Sequence, residues 1–131
     1  MKKSLQEYFS DFDFREAYIG SIIQVVNGVP LPKDYLDFLT EHNGGEGAVG
    51  DNTYMQLFSL EELEQINRDY SVKEFLPDDC LIGSSMGGEF YGISKEGVYF
   101  AVPDIPMCEE EKVALGNSFG EFIEELDRYM A

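Results

Sequence analysis

Leu5, Tyr8, Phe9 and Phe12 fall three and four apart within residues 4–12, the apolar stripe of a short amphipathic helix. From Arg15 to Val26 the set Ala17, Tyr18, Ile19, Ile22, Ile23, Val25 and Val26 is nearly continuous. That run predicts a buried helix, the alternative being a strand that ends at Asn27-Gly28. A further helix is expected between Pro32, which suits a first turn because its missing N–H is no loss there, and Asn43-Gly44, which can supply a left-handed end. Tyr35, Leu36, Phe38 and Leu39 form its inward face, and His42 sits in its last turn, where the helix dipole favours a cation.

Between Glu46 and Phe58 the pattern changes to period two, with Tyr54, Gln56 and Phe58 alternating against Met55 and Leu57, which predicts a strand after a loop. Ser59-Leu60-Glu61-Glu62 has the spacing of a capping box, so a helix begins there, with Leu60, Leu63, Ile66 and Tyr70 inward and Glu61, Glu64, Gln65 and Asp69 outward. Strands are expected at Cys80–Gly83, Glu89–Ser94 and Val98–Val102, the last two joined by a Lys95-Glu96-Gly97 hairpin turn and paired antiparallel. Asn117-Ser118-Phe119-Gly120-Glu121 repeats the capping logic. The terminal helix it opens buries Phe119, Phe122, Ile123, Leu126 and Tyr129 or Met130. The fold class is therefore α+β: one domain over residues 1–131, an antiparallel or mixed central sheet flanked by helices, with residues 1–14 as an N-terminal helical extension.

Composition changes the picture through charge. The 131 residues carry 26 acidic and 9 basic side chains, a formal net charge of -17. Phosphate backbones and anionic lipid surfaces repel such a polyanion, so neither nucleic acid nor a membrane is an expected partner, whereas a basic protein is attracted. Acidity also serves solubility alone. Glu7, Asp11 and Asp13 interrupt the N-terminus before a signal-peptide core can form. The most apolar window, residues 22–26, is far shorter than the roughly 20 residues that span a bilayer. A cytoplasmic protein is expected.

The residues that carry chemistry form no reactive constellation. Cys80 and Cys108 lack a CxxC spacing, are expected as buried free thiols, and have only His42 to activate them. One histidine without a second donor beside it makes a poor metal site, and no cofactor is expected. The glycine turn Ser84-Ser85-Met86-Gly87-Gly88 has no GxxxxGK[ST] pattern and is followed at once by Glu89, so it reads as a β-turn rather than a phosphate cradle. A carboxylate-based hydrolase drawing on Glu46, Asp51, Glu89 or Asp104 is the sharper enzymatic alternative. Its two acids need a set separation of roughly 5–10 Å, and the chain has no tryptophan to stack on a sugar. The expectation is a non-enzyme.

Leu31-Pro32-x-x-Tyr35-x-x-Phe38-Leu39 running into Asn43-Gly44-Gly45, then Leu57-Phe58-Ser59-Leu60-Glu61-Glu62-Leu63 with Asn67 and Tyr70 behind it, resembles the SUKH superfamily. Ile82-Gly83 leading through Gly87-Gly88-Glu89-Phe90-Tyr91-Gly92-Ile93 is similar to its glycine turn and strand, and Asn117-Ser118-Phe119-x-x-Phe122-Ile123 to its final helix. The resemblance spans about residues 17 to 127. Glu89 departs from it, since many relatives carry aspartate there, and the first 14 residues are not explained by it. The superfamily takes its name from the yeast cell-wall synthesis regulator of the Smi/Knr type and bacterial relatives, many of them immunity proteins that neutralise a toxin made by the same cell. What the resemblance implies is helices packed on a sheet, no catalytic machinery, and action through a protein-binding surface. The leading expectation is thus an immunity protein against a cognate, nuclease-type basic toxin, the alternative a regulatory scaffold of the cell-wall type. Carboxylates expected to meet such a partner are Glu46 and Asp51 after the Asn43-Gly44 cap, Glu89, Asp104, and the run Glu109, Glu110 and Glu111, whose plainer reading is a solvated loop.

Overall fold

Turn-forming residues, more than long apolar runs, decide where the elements of this chain begin and end. The computed structural model describes residues 4–21 and 23–129. In chain order the elements are α1 (Leu5–Tyr8), β1 (Phe12–Phe14), β2 (Val25–Val26), β3 (Val29–Pro30), α2 (Lys33–Glu41), β4 (Gly45–Val49), β5 (Thr53–Leu57), α3 (Leu63–Asp69), α4 (Val72–Phe75), β6 (Asp79–Ser84), β7 (Glu89–Ser94), β8 (Tyr99–Pro103), β9 (Val113–Gly116) and α5 (Phe119–Tyr129). A seven-stranded antiparallel sheet runs β1-β4-β5-β6-β7-β8-β9, a meander from β4 onward with β1 added at the outer edge. This is the α+β architecture the patterns imply.

Phe12 of β1 and the side chains of odd-numbered residues in β5, β7 and β8 face the helices. Phe12, Met55, Leu57, Tyr91, Ile93 and Tyr99 are buried there. Tyr99 stacks on Phe122 of α5 at 5.2 Å, and Phe38 of α2 meets Phe119 at 4.7 Å, so α2 and α5 share one aromatic layer over the sheet. Asp34 ties these helices together. Its carboxylate accepts the Phe119 N–H at 2.7 Å, its own helix's Tyr35 N–H at 2.8 Å and the Tyr99 hydroxyl at 3.3 Å.

Where β5 ends, the edge of β6 is left facing no strand, and two side-chain amides stand in for one. Asn67 of α3 accepts the Leu81 N–H at 2.8 Å and donates to the Leu81 carbonyl at 3.1 Å, while Asn27 donates to the Asp79 carbonyl at 2.8 Å. Those backbone groups are buried and would otherwise go unpaired. Asn67 therefore turns inward on a helix face that also buries Leu60 and Leu63.

Several expectations need correction. The helix over 4–12 is one turn capped by Ser4, and Phe12 belongs to a strand. No helix forms over residues 15–21 or 23–26, and the expectation for Ile22 lies outside the described residues. Gly20, at φ 147°, interrupts the run, and Asn27 (φ 53°) with Gly28 (φ 77°) makes the two-residue turn that folds Val26 back on Val29, so the strand alternative holds for Val25–Val26. The supposed loop at residue 46 is β4, and β9 and α4 carried no periodic signal. Pro32 is the cap of α2 rather than its first residue, and His42 is the far cap with extended backbone, its ring stacked on Phe14 at 4.2 Å. Cys80 is buried but Cys108 is partly exposed, both as free thiols. Met130 lies outside the described residues. The capping box at Ser59 forms as expected, Glu62 accepting the Ser59 N–H at 2.8 Å, and opens a 3-10 turn that leads into α3.

Candidate functional site

The opposite sheet face is where the uncommitted chemistry lies. Cross-strand partners place Asp13, Glu46, Gln56, Ser84, Phe90 and Val102 in one row on that face. Its far half is covered, since Tyr70, just after α3, packs edge-on against Phe90 at 4.7 Å. Over β1, β4 and β5 the row is open: Asp13 and Glu46 are exposed, and so is Tyr54, at 50%.

Asp13 and Glu46 are direct partners across the β1–β4 ladder. Like charges directly opposite one another destabilise a sheet, and here no cation among the described residues is paired with either carboxylate. Tyr54 moderates one of them by donating its hydroxyl to Glu46 Oε2 at 2.9 Å. That hydrogen bond, reinforced by the nearby charges of Glu46 and Asp13, holds the phenol above its ordinary value. The result is an anionic surface on β1 and β4 with an exposed aromatic ring beside it.

A second acidic surface follows β8. Asp104 is anchored by its N–H to the Gly88 carbonyl at 2.8 Å, with its side chain exposed, and Glu109–Glu111 form an exposed 3-10 turn. Lys112 pins this turn to the sheet. Its Nζ lies 2.7 Å from Asp79 Oδ2, 3.2 Å from Glu109 Oε2 and 4.5 Å from the centre of the Phe100 ring. Asp79 is 1% exposed, and burial raises its pKa against the opposing pull of Lys112. Glu110 is held low by its own backbone N–H and by the Cys108 thiol, which burial and Glu110 together push up.

The remaining carboxylates named from the sequence lie elsewhere. Glu89 is on the helix-covered face, where its Oε2 accepts the Tyr129 hydroxyl at 3.1 Å. Asp51 lies in the β4–β5 turn, which α5 clamps through Asp127, its Oδ1 accepting the Asp51 and Asn52 N–H groups at 3.0 and 2.9 Å. Glu46 thus gains Asp13 and Tyr54 as neighbours, while Asp104 and Glu109–Glu111 lie exposed on the segment after β8. Asp13 and Tyr54 were missed, although the alternation of Phe12-Asp13-Phe14 and of residues 53–57 contained the signal. Among the described residues no group of three or more histidine, cysteine or acidic side chains is placed to hold a metal ion. Burial pushes the Cys80 thiol up to about 12.

The profile of the SMI1 / KNR4 family (SUKH-1) matches residues 16–125 of this chain. The matched region starts after β1, so Asp13 lies outside it while Glu46 and Tyr54 lie within. No curated protein matches the chain. No helix among the described residues is long and apolar enough to cross a membrane.

Proposed function

The chain belongs to the SMI1 / KNR4 family (SUKH-1), and from that premise we propose that it is a non-catalytic protein-binding domain, an immunity protein that neutralises a cognate basic toxin of the nuclease type in the cytosol. The observation that carries this reading is the opposed pair Asp13 and Glu46 on an open sheet face beside an exposed Tyr54. The fold holds a like-charge pair there with no cation among the described residues paired to it, and a cationic partner relieves it. A nuclease presents a cationic cleft shaped for phosphates. Carboxylates on a rigid sheet fill that cleft as anions, while the -17 net charge steers the encounter and Tyr54 supplies an aromatic anchor.

Co-expression with the product of the adjacent gene tests it. Cells that stop growing when that product is expressed alone recover when this chain is present, and the two proteins co-purify as a stoichiometric complex. Replacing both Asp13 and Glu46 by lysine removes the protection without unfolding the domain. Absence of protection and of a complex, binding to several unrelated proteins as a scaffold would show, or turnover of a substrate abolished by neutralising one carboxylate, counts against the reading.

A further inference from the structure

We propose that the same sheet face carries a built slot for one apolar side chain of the basic partner, bounded by Tyr70 and Phe75 on one wall and the 104–108 segment on the other. This inference rests on the protein-binding reading above and specifies where the partner's anchor goes. The slot has a volume of about 350 Å³, the low end of what small-molecule sites enclose and enough for a single aromatic or long aliphatic group. Phe75 is 52% exposed and Ile105 89%, so the fold leaves a large apolar group in water on each wall of the slot, where burial by a partner recovers their hydration cost.

Charge decides the occupant. Among the described residues Asp104 is the only charged one on the slot's walls, and the exposed Glu109–Glu111 turn begins directly after Cys108, which also lines it. Arg68 and Lys73 open instead onto a separate depression with Asn27 and Glu64. A second copy of this chain brings another -17 charge to the contact and is repelled, as is an acidic segment. The chemistry that fits is an apolar anchor flanked by lysine or arginine. Position supports the same partner, because Tyr70 sits on Phe90, which shares its row with Glu46 three strands away, roughly 14 Å at ordinary strand spacing. One interface of ordinary size, about 800 Å² per partner, reaches from the slot to the open acidic row.

The test uses the full chain and two synthetic peptides, one with a single tryptophan between two runs of four lysines and one with alanine in its place, followed by methyl and backbone NMR at low salt. The tryptophan peptide is expected to bind about fivefold or more tightly than the alanine peptide, with the largest shifts at the Ile105 and Met107 methyls. Phe75→Ser and, independently, the highly exposed Ile105→Ser are expected to erase that preference, whereas Glu46→Gln weakens both peptides alike. Equal binding of the two peptides, or a tryptophan preference that survives both slot variants, overturns the slot and leaves the charge-based reading standing. Binding of neither peptide overturns both.

Discussion

At the scale of single residues, the side chains that matter most are polar ones whose partners lie far away in sequence. Asn67 stands within a helix whose apolar side is plain from Leu60 and Leu63, yet nothing local shows that its amide replaces a missing strand beside Leu81. Asn67→Ala leaves both the Leu81 N–H and carbonyl without that partner, which costs roughly 2–4 kcal/mol, read as a lowered denaturation midpoint. Tyr54 makes the second case. Alternation along β5 correctly put Tyr54 and Gln56 opposite Met55 and Leu57, but the hydrogen bond to Glu46 depends on the β4–β5 register, which only the Gly50 turn fixes. Because the Tyr54 phenol titrates above its unfolded value near about 10, the bond's contribution is intact below that pH and fades as pH rises through the folded value. In Glu46→Gln, NMR titration of the Tyr54 ring is expected to show the phenol's pKa falling toward the ordinary value. An unchanged titration means the bond is absent in solution.

Among elements, those bounded by caps and turns were legible and those made by pairing were not. The Ser59 and Ser118 signals mark real helix starts, Ser118 Oγ accepting the Glu121 N–H at 3.1 Å, and Lys95-Glu96-Gly97 is a real hairpin turn with Gly97 at φ 84°. The apolar run after Arg15 misled because near-continuous hydrophobicity has no period to separate helix from strand, and Gly20 and Asn27-Gly28 set the outcome instead. β1 and β9 are short edge strands, three and four residues long, whose existence follows from what lies beside them. Strand β4 is glycine-rich because backbones approach closely around it. A Cβ on neighbouring Gly44 would stand 2.5 Å from the Leu57 carbonyl oxygen, at φ 86°, so Gly44→Ala both strains the chain and collides with β5. α5 is held at both ends by aspartates, Asp34 of α2 accepting its first N–H and its own Asp127 gripping the β4–β5 turn. Asp34→Ala is expected to cost about 1–2 kcal/mol and to speed hydrogen exchange in the first turn of α5 more than in the sheet. Uniform loss of protection would instead make Asp34 a global rather than a helix-end contact.

For the whole molecule, the charge balance was visible from the first count of residues, but its distribution was not. The carboxylates separate into an open sheet face, an acidic turn held by Lys112, and groups such as Glu89 that are engaged with the helices. The first two are exposed to solvent. A charge of -17 on a chain of 131 residues also repels itself in the folded state, so raising the salt concentration at neutral pH is expected to stabilise the free domain. The same salt weakens attraction to a cationic partner, which separates the two effects in one series of buffers. The measurement that bears most directly on function is therefore the association rate with the adjacent gene's product, followed by stopped flow from about 50 to 500 mM salt. If the anionic sheet face guides docking, that rate falls by at least about tenfold across the series, and replacing Asp13 and Glu46 by lysine slows it at low salt. A rate indifferent both to salt and to that charge reversal contradicts the account.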